Sequence, residues 1–356
     1  MPVAVRFCKV PTTKGADVKA IVCTRYGPPE VLQLQEVPNP VPKDNEILIK
    51  IYATTVTRGD VTDRTMALSP LFWLPTRMIF GLTKPRRKIP GGELAGEVVA
   101  VGKNVKRFEE GEHVFGSPGW GSGAYAEYIA LPESGVLATK PTNMTYEEAA
   151  ALTFGGGTAL HFLRRANIKS GQRVLVYGAS GSVGTFAVQL AKYHGAEVTA
   201  VCSTANLELV KSLGADRVID YTKQDFANNS ERYDVIFDAV SRTSFSHCKS
   251  SLTQRGIYLS VGGGLMLILH KLWASIASSK KVIFGIANPK AEDLRLLKKP
   301  IKAGEVISVI DRSYPLEQIA DAHRYVERDT RKAMSQSLWS IELSRSASPP
   351  GRELAN

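Results

Sequence analysis

Cysteine is scarce in this 356-residue chain: Cys8, Cys23, Cys202 and Cys248 stand far apart, and no Cys-x-x-Cys pair occurs. That spacing excludes a disulfide framework and zinc-finger ligand sets, and it fits a protein kept reduced in the cytoplasm. Long apolar runs are lacking too. None reaches the roughly 18 residues of a membrane span. Leu68–Leu82 is broken by Pro70 and Pro75, and Tyr258–Ala277 by a glycine triplet and His270-Lys271. The first 18 residues hold one acid, Asp17, and no continuous apolar stretch, which argues against a secretory signal. A transit peptide is compatible with them; a disordered extension or an early start codon is the expectation. Acids are in the minority overall, and the net charge is +11. A basic balance admits nucleic acid, an anionic membrane surface or a phosphate-rich ligand and does not choose among them. No RNP-type aromatic motif or other dedicated RNA module is present, which argues against nucleic acid.

What is present points to two domains. The chain exceeds the common size of one domain, and its 44% apolar content is ample for real cores. From Lys19 to about Lys140, short apolar runs (Glu46–Tyr52, Glu97–Gly102, Glu112–Phe115, Ala124–Leu131) alternate with Gly and Pro turns, as in a compact β-barrel. The run Pro38-Asn39-Pro40-Val41-Pro42 lacks ladder donors and cannot be a central strand. From about Asn143, strands and helices alternate. Strands are expected at Gln172–Tyr177, Glu197–Cys202, Arg217–Asp220, Asp234–Asp238, Gly256–Val261 and Lys281–Gly285. Helices are expected at Ser182–His194, Asn206–Leu213 and Thr243–Leu252. That order predicts an α/β fold with a doubly wound parallel sheet. A helix over Lys290–Lys302, a strand at Ile307–Ile310 and a helix over Leu316–Val326 return towards the barrel.

The most specific motif is Tyr177-Gly178-Ala179-Ser180-Gly181-Ser182-Val183-Gly184, after a predicted strand and opening a predicted helix. Small residues let the backbone approach a pyrophosphate, and the helix start offers unpaired N–H groups and partial positive charge. A glycine-rich loop without consequence is the bland alternative, but the flanking strand, helix and second strand favour a dinucleotide. An NAD-selective site carries Asp or Glu at the end of that second strand. Here Val201-Cys202-Ser203-Thr204-Ala205-Asn206 offers no acid. A carboxylate would repel a 2′-phosphate and hydroxyls can donate to one, so NADP(H) is favoured over NAD(H). An Arg is missing at this point; Ser203, Thr204 and Asn206 are the candidate ligands, with Lys211 and Tyr221 as helpers.

Together with this turn, Gly91-Gly92-Glu93-Leu94-Ala95-Gly96 and Gly123-Ala124-Tyr125-Ala126-Glu127-Tyr128 resemble the zinc-independent quinone oxidoreductase (zeta-crystallin-like) branch of the medium-chain dehydrogenase/reductases. Leu213-Gly214-Ala215-Asp216, Val218-Ile219-Asp220-Tyr221 and Phe237-Asp238-Ala239-Val240 add to the resemblance, which spans about Lys19 to Arg331 in the family's order. It implies a Rossmann doubly wound sheet plus a GroES-like β-barrel catalytic domain, with the site in the cleft between them. The domain plan expected is an extension over residues 1–18 and the barrel over 19–145. The Rossmann NAD(P)-binding domain follows over 146–286, a return segment over 287–343 and a disordered tail over 344–356. The resemblance also implies a homodimer through the sheet edge at Lys280–Ala287. From Lys332 the family's final Gly-Lys-x-Val-Val-Ile strand is absent, which a frame change in the coding DNA would explain. That absence puts closure of the barrel in doubt.

Zinc members of the superfamily hold catalytic metal with Cys, His and a further Cys or acid. Here Gly92 stands at the His position, the first Cys falls within sulfur-free Val56-Thr57-Arg58-Gly59-Asp60, and the third falls near Gly155. The four-Cys structural lobe is missing, so no zinc is expected. Without a Lewis acid, an already activated hydride acceptor suits the site: a quinone or an α,β-unsaturated carbonyl. The family's Asn-x-x-Asp-x-Tyr-x-Arg segment becomes Thr57-Arg58-Gly59-Asp60-Val61-Thr62-Asp63-Arg64. Asp60 and Arg64 match it, either lining the cleft or forming a structural pair; Thr57 and Thr62 can donate to a carbonyl, and the tyrosine proton donor is lost. Tyr125 lies in the cleft by resemblance, with barrel packing as the alternative. Thr158, Val240, Val261, Gly262 and Gly263 are implied around the nicotinamide. Leu68–Leu82, with Phe72, Trp73, Met78 and Phe80, either roofs an apolar pocket or is a barrel insertion with a basic rim. The function expected is NADPH-dependent reduction of a small-molecule quinone or enone. The alternatives are a zinc-free enoyl thioester reductase and a nucleic-acid-binding crystallin-like protein without turnover.

Overall fold

Alternation of apolar and polar residues builds the longest strand of the first sheet, in which Ile47, Ile49 and Ile51 turn inward and are almost fully buried. The computed structural model describes residues 1–7, 17–66, 73, 76–78, 80–119, 122–262 and 279–328. The first half of the chain contributes β1 (Val3–Arg6), β2 (Val18–Cys23), β3 (Leu32–Val37) and β4 (Glu46–Val56), followed by helix α1 (Arg58–Thr65). Then come β5 (Leu94–Val101), β6 (His113–Ser117), β7 (Tyr128–Pro132), β8 (Val136–Thr139) and the helices α2 (Tyr146–Ala151) and α3 (Gly157–Ala166).

The second sheet uses β9 (Arg173–Tyr177), α4 (Ser182–Tyr193), β10 (Glu197–Cys202), α5 (Leu207–Ser212), β11 (Arg217–Asp220), β12 (Tyr233–Asp238), α6 (Phe245–Cys248), β13 (Leu252–Val261) and β14 (Lys281–Gly285). It is six-stranded and parallel, in the order β11-β10-β9-β12-β13-β14. The order reverses between β9 and β12, so the ligand crevice of such a sheet opens at their carboxyl ends. Helix α7 (Ala291–Lys302) and strand β15 (Arg312–Pro315) return the chain to the first sheet, and residues 319–328 form a last helix, α8. The fold is the expected Rossmann sheet joined to a GroES-like barrel. No helix among the described residues is long and apolar enough to cross a membrane.

Two expectations change. Residues 1–18 were expected to lie outside the fold, yet β1 sits between β4 and β15 in the seven-stranded sheet, antiparallel to one and parallel to the other. Val3, Ala4 and Val5 are fully buried, and Val3 and Val5 join the core around Tyr125, Leu316 and Ile319. The sheet therefore reaches β15 through the start of the chain. The strand expected at Ile307–Ile310 does not form either. Gln189 satisfies Ile307 instead, its Nε2 donating to the Ile307 carbonyl and its Oε1 accepting from the Ile307 N–H, each at 3.0 Å or less. The strand begins at Arg312. Gly263, Phe72 and the tail from Lys332 lie outside the described residues.

Because Val5 is enclosed, Val5→Asp should cost about 3–5 kcal/mol, the scale for an unpaired buried charge. Deletion of residues 1–7 should destabilise at least as much. Denaturant midpoints check this; a deletion as stable as the full chain would remove β1 from the folded barrel.

Candidate active site

The turn after β9 is as tight as its glycines allow. Gly178 has φ +78°, and a Cβ there would meet the Val240 side chain at 2.6 Å. A Cβ on Gly184 would lie 2.1 Å from the Gly178 carbonyl oxygen, so α4 can rest on the strand end only with glycine at this place. Ala179 is buried, its N–H and that of Gly178 both donate to the Val201 carbonyl, and Gly181 stands as the helix N-cap with no side chain to cover the first N–H groups. A turn of this geometry, with uncovered N–H groups at a helix start, has the shape that receives a pyrophosphate in dinucleotide-binding sheets.

Beside it lie hydroxyls with no protein partner. Thr153, Thr158 and Ser182 each bury the side-chain oxygen without a hydrogen bond. Buried hydroxyls are normally satisfied, so three near one crevice mark a place where a ligand's polar groups belong. They are brought together by a π-helical turn, Leu152–Gly156, packed against the start of α4: a Cβ on Gly155 would meet the Ser182 carbonyl at 2.7 Å. Thr153 was not among the expected ligands, of which this stretch supplied Thr158 alone.

At the end of β10, Asn206 Nδ2 donates to Ser180 Oγ at 3.1 Å and to Ser203 Oγ at 3.2 Å, tying the glycine turn to the second strand. Thr204 is exposed, but its hydroxyl is engaged, donating to Asp220. Asp220 is the acid that the linear reading missed, because the parallel register sets it beside Cys202. Desolvation opposes its charge, but hydrogen bonds from Thr204 and Thr222 outweigh that and hold its pKa below the usual value. Tyr221 packs on Tyr177, and Lys211 is exposed in the last turn of α5. At the far side of the crevice, Val240 lies against Gly178, and the Ser241 hydroxyl donates to the Val261 carbonyl, bringing the ends of β9, β12 and β13 together. Gly262, at φ +92°, bonds to Gly285.

The barrel side is more enclosed than the sequence implied. Thr57 caps α1, donating to Asp60 Oδ2 at 2.7 Å and accepting from the Gly59 N–H. Thr62 donates to the Arg58 carbonyl at 3.0 Å. Tyr125 is fully buried, its hydroxyl donating to the Thr55 carbonyl at 3.1 Å, with Asp60 as a second partner. Burial first, and then the Asp60 charge, raise the Tyr125 pKa. Asp60 and Arg64, four residues apart, do not pair. Arg64 turns inward to Glu327 of α8 at 3.4 Å. Beside it, His323 is buried with both ring nitrogens unpartnered, and burial pushes its pKa down to about 3.

Glu93 links the two halves. Its carboxyl accepts from the Thr55 hydroxyl on β4 and from the backbone N–H of Phe154 in the π-helical turn. Desolvation dominates its titration and pushes its pKa up to about 8, against those two hydrogen bonds. It sat inside a quoted motif, but nothing in the linear pattern distinguished it from a turn residue. Among the described residues no group of three His, Cys, Asp or Glu converges as a metal set.

Comparison with known proteins agrees with this arrangement. A family model described as an alcohol dehydrogenase GroES-like domain matches residues 43–141, and one described as a zinc-binding dehydrogenase matches residues 213–332. The chain is 35% identical over 305 residues to a chloroplast envelope quinone oxidoreductase homolog of Arabidopsis thaliana, covering 82% of this chain and 89% of the relative. It is 31% identical over 323 residues to an NADPH-dependent alkenal/one oxidoreductase of the same plant, covering 87% and 77%. The solved quinone oxidoreductase from Coxiella burnetii superposes with a TM-score of 0.76 at 27% identity, over 88% of this chain and 96% of that one.

Gly184→Ala should lower stability by about 1–3 kcal/mol through the backbone contact and weaken dinucleotide binding about tenfold or more, read by fluorescence titration. Wild-type binding in this variant would contradict the cradle. For Glu93, the folded state holds its proton more tightly than the unfolded chain, so it costs stability increasingly as pH rises from the ordinary carboxylate range towards about 8. Glu93→Gln keeps both hydrogen-bonding positions without the charge. Its unfolding midpoint, relative to wild type, should therefore rise between pH 5 and pH 8; a constant difference would show that Glu93 is ionised throughout.

Proposed function

The chain belongs to the quinone oxidoreductase branch of the medium-chain dehydrogenase/reductase family, and on that premise we propose that it reduces a quinone or an α,β-unsaturated carbonyl with NADPH and without zinc. The observation that carries this reading is the glycine cradle at the strand-order reversal, with the unpartnered hydroxyls of Thr153, Thr158 and Ser182 beside it.

Bound NADPH supplies a hydride equivalent, and an enone or quinone accepts it together with one proton, giving the saturated carbonyl or the hydroquinone and NADP. The protein's part is positioning. The N–H groups at the start of α4 take the pyrophosphate, and Ser203, Asn206 and Ser180 form the polar wall for the 2′-phosphate. The Val240 side chain and the ends of β12 and β13 shape the nicotinamide side. Thr57, Thr62 and Tyr125 have their hydroxyls engaged within the protein, so the proton comes from water rather than from any of them. Support for a zinc-free mechanism is the identity of the residues: Gly92 and Gly155 stand where ligands would have to converge, and neither has a donor side chain. Conjugation in the acceptor then does what a Lewis acid does elsewhere, spreading charge on to an oxygen. The same reading favours a cytoplasmic homodimer, for which the edge position of β14 provides a pairing surface.

A turnover screen tests it: NADPH and NADH against quinones, alkenals and simple alcohols, with and without a chelator. NADPH oxidation by quinone or alkenal, insensitive to chelation, is expected; alcohol oxidation abolished by chelation would overturn the proposal. Ser203→Asp, which sets a carboxylate at the second strand end, should raise KM for NADPH about tenfold and leave that for NADH less affected.

A further inference from the structure

No acid occurs in the chain between Asp63 and Glu93, and the stretch between them joins exposed apolar side chains to a run of bases. Met78 is 60% exposed, Leu82 57% and Trp73 42%. Single apolar residues on a surface are ordinary, but these three are held together. Arg77 is the joint. Its guanidinium stacks on the Trp73 ring at 4.8 Å and on the Tyr26 ring at 4.7 Å, and it donates to the Leu82 carbonyl. Met78 follows it directly, and the Gly81 N–H closes the helical turn on the Arg77 carbonyl at 2.8 Å.

The bases return to the same knot. Gly81 has φ +125°, and a Cβ on it would meet the Lys84 carbonyl oxygen at 2.0 Å, so only glycine allows this sharp reversal. The Arg86 N–H then donates to the Phe80 carbonyl at 2.8 Å, and the Tyr26 hydroxyl donates to the Gly81 carbonyl at 3.0 Å. Beyond the reversal, the Cys23 N–H donates to the Lys88 carbonyl and the Tyr125 N–H to the Pro90 carbonyl, which fastens the run to the barrel. Lys84, Arg86, Arg87 and Lys88 are all exposed. Arg64, the first base of the stretch, turns inward to Glu327. Among the described residues the four later bases make no ion pair. The backbone here is fixed by hydrogen bonds, while three apolar side chains and four positive charges are left to solvent.

That combination selects among anionic partners. Bases alone suit a nucleic acid or an acidic protein equally. Exposed Met and Leu beside them add a demand for an apolar phase, and an indole suits the boundary between headgroups and acyl chains. A bilayer with anionic headgroups offers both side by side: phosphates for the bases and acyl chains for the apolar side chains. We propose that the surface formed by Trp73, Met78, Leu82 and the basic run 84–88 docks this protein on an anionic lipid bilayer. The stretch Leu68–Leu82, broken by Pro70 and Pro75, is too short to span one, so the contact is peripheral. Docking is a property of this surface and stands whether or not the acceptor is a quinone.

Co-sedimentation of the full chain with vesicles tests it, using phosphatidylcholine alone and phosphatidylcholine mixed with phosphatidylglycerol. Wild type should sediment with the mixed vesicles, stay in solution with the neutral ones, and be released by salt. Arg86→Gln and Arg87→Gln should each lower the partition coefficient about fivefold. Met78→Ser combined with Leu82→Ser should lower it about tenfold or more and leave its salt dependence unchanged. All these side chains are at least partly in solvent, so thermal midpoints should match wild type and confirm folding. Brominated phosphatidylcholine in the mixed vesicles should quench tryptophan emission, and Trp73→Phe should remove that quenching. Equal binding to neutral and mixed vesicles overturns the proposal, as does wild-type binding by a variant with all four bases changed to Gln. Quenching retained in Trp73→Phe puts the contact elsewhere and overturns this face. Failure to bind the mixed vesicles overturns the proposal outright; retention of a duplex oligonucleotide in that case assigns the bases to nucleic acid.

Discussion

A buried carboxyl group, that of Glu93, ties the two sheets together where they meet. It lies beneath the cleft, accepting from Thr55 on the barrel and from the Phe154 N–H on the π-helical turn. That turn carries Thr153 and leads into Thr158, and it packs through Gly155 on the first residue of α4. Glu93 is thus a polar tie between the π-helical turn and the barrel, beside the apolar core that Ala53, Ala95, Phe115 and Ala138 share with the Rossmann strands. Its raised pKa follows from the same placement: desolvation disfavours the charge more than two hydrogen bonds favour it. A neutral carboxyl can bridge the halves of the cleft without adding a negative charge where the negatively charged phosphates of a dinucleotide must enter.

Much of the Rossmann half was legible because its signals are local. The strands at Glu197–Cys202, Arg217–Asp220 and Lys281–Gly285 coincide with the apolar runs that announced them, each bounded by a turn residue. The glycine turn was legible for the same reason, since each glycine answers a steric demand within a few residues. The barrel side was less so. Asp60 and Arg64, at helical i,i+4 spacing, admitted either a pair or a place lining the cleft, yet tertiary contacts with Tyr125 and Glu327 decide where each side chain goes. The hydroxyls of Thr57 and Thr62 looked available because capping and back-bonding within α1 depend on the exact helix start. Asp220, present in a quoted motif, was not linked to the end of β10, because its closeness to Cys202 is a matter of strand register, not of sequence distance.

The start of the chain shows the opposite failure. Val3-Ala4-Val5 is too short an apolar run to outweigh the basic, sparsely apolar residues around it, so it reads as part of an extension. Its stability as a strand is wholly non-local: β4 and β15 lie about 50 and 310 positions away in the chain, and supply ladder partners on both sides. Arg6 adds an ion pair to Glu147 at 2.6 Å, at the first turn of α2. A strand paired on both edges and buried in an apolar cluster is not an appendage. Between β4 and β15 it is the beginning of the chain that completes the sheet.

Charge is what remains to explain once packing is satisfied. A net charge of +11 says little by itself; the placement of individual acids says more. Asp60 caps α1, Asp238 builds the loop behind Val240, and Asp220 is held by Thr204 and Thr222. Each of these carboxylates is turned on to hydroxyls and N–H groups of its own framework, so it fixes a helix start or a loop. Thr153, Thr158 and Ser182 are the complement of that arrangement, buried with no partner in the protein. The acids are satisfied by folding, and these hydroxyls are left for what binds.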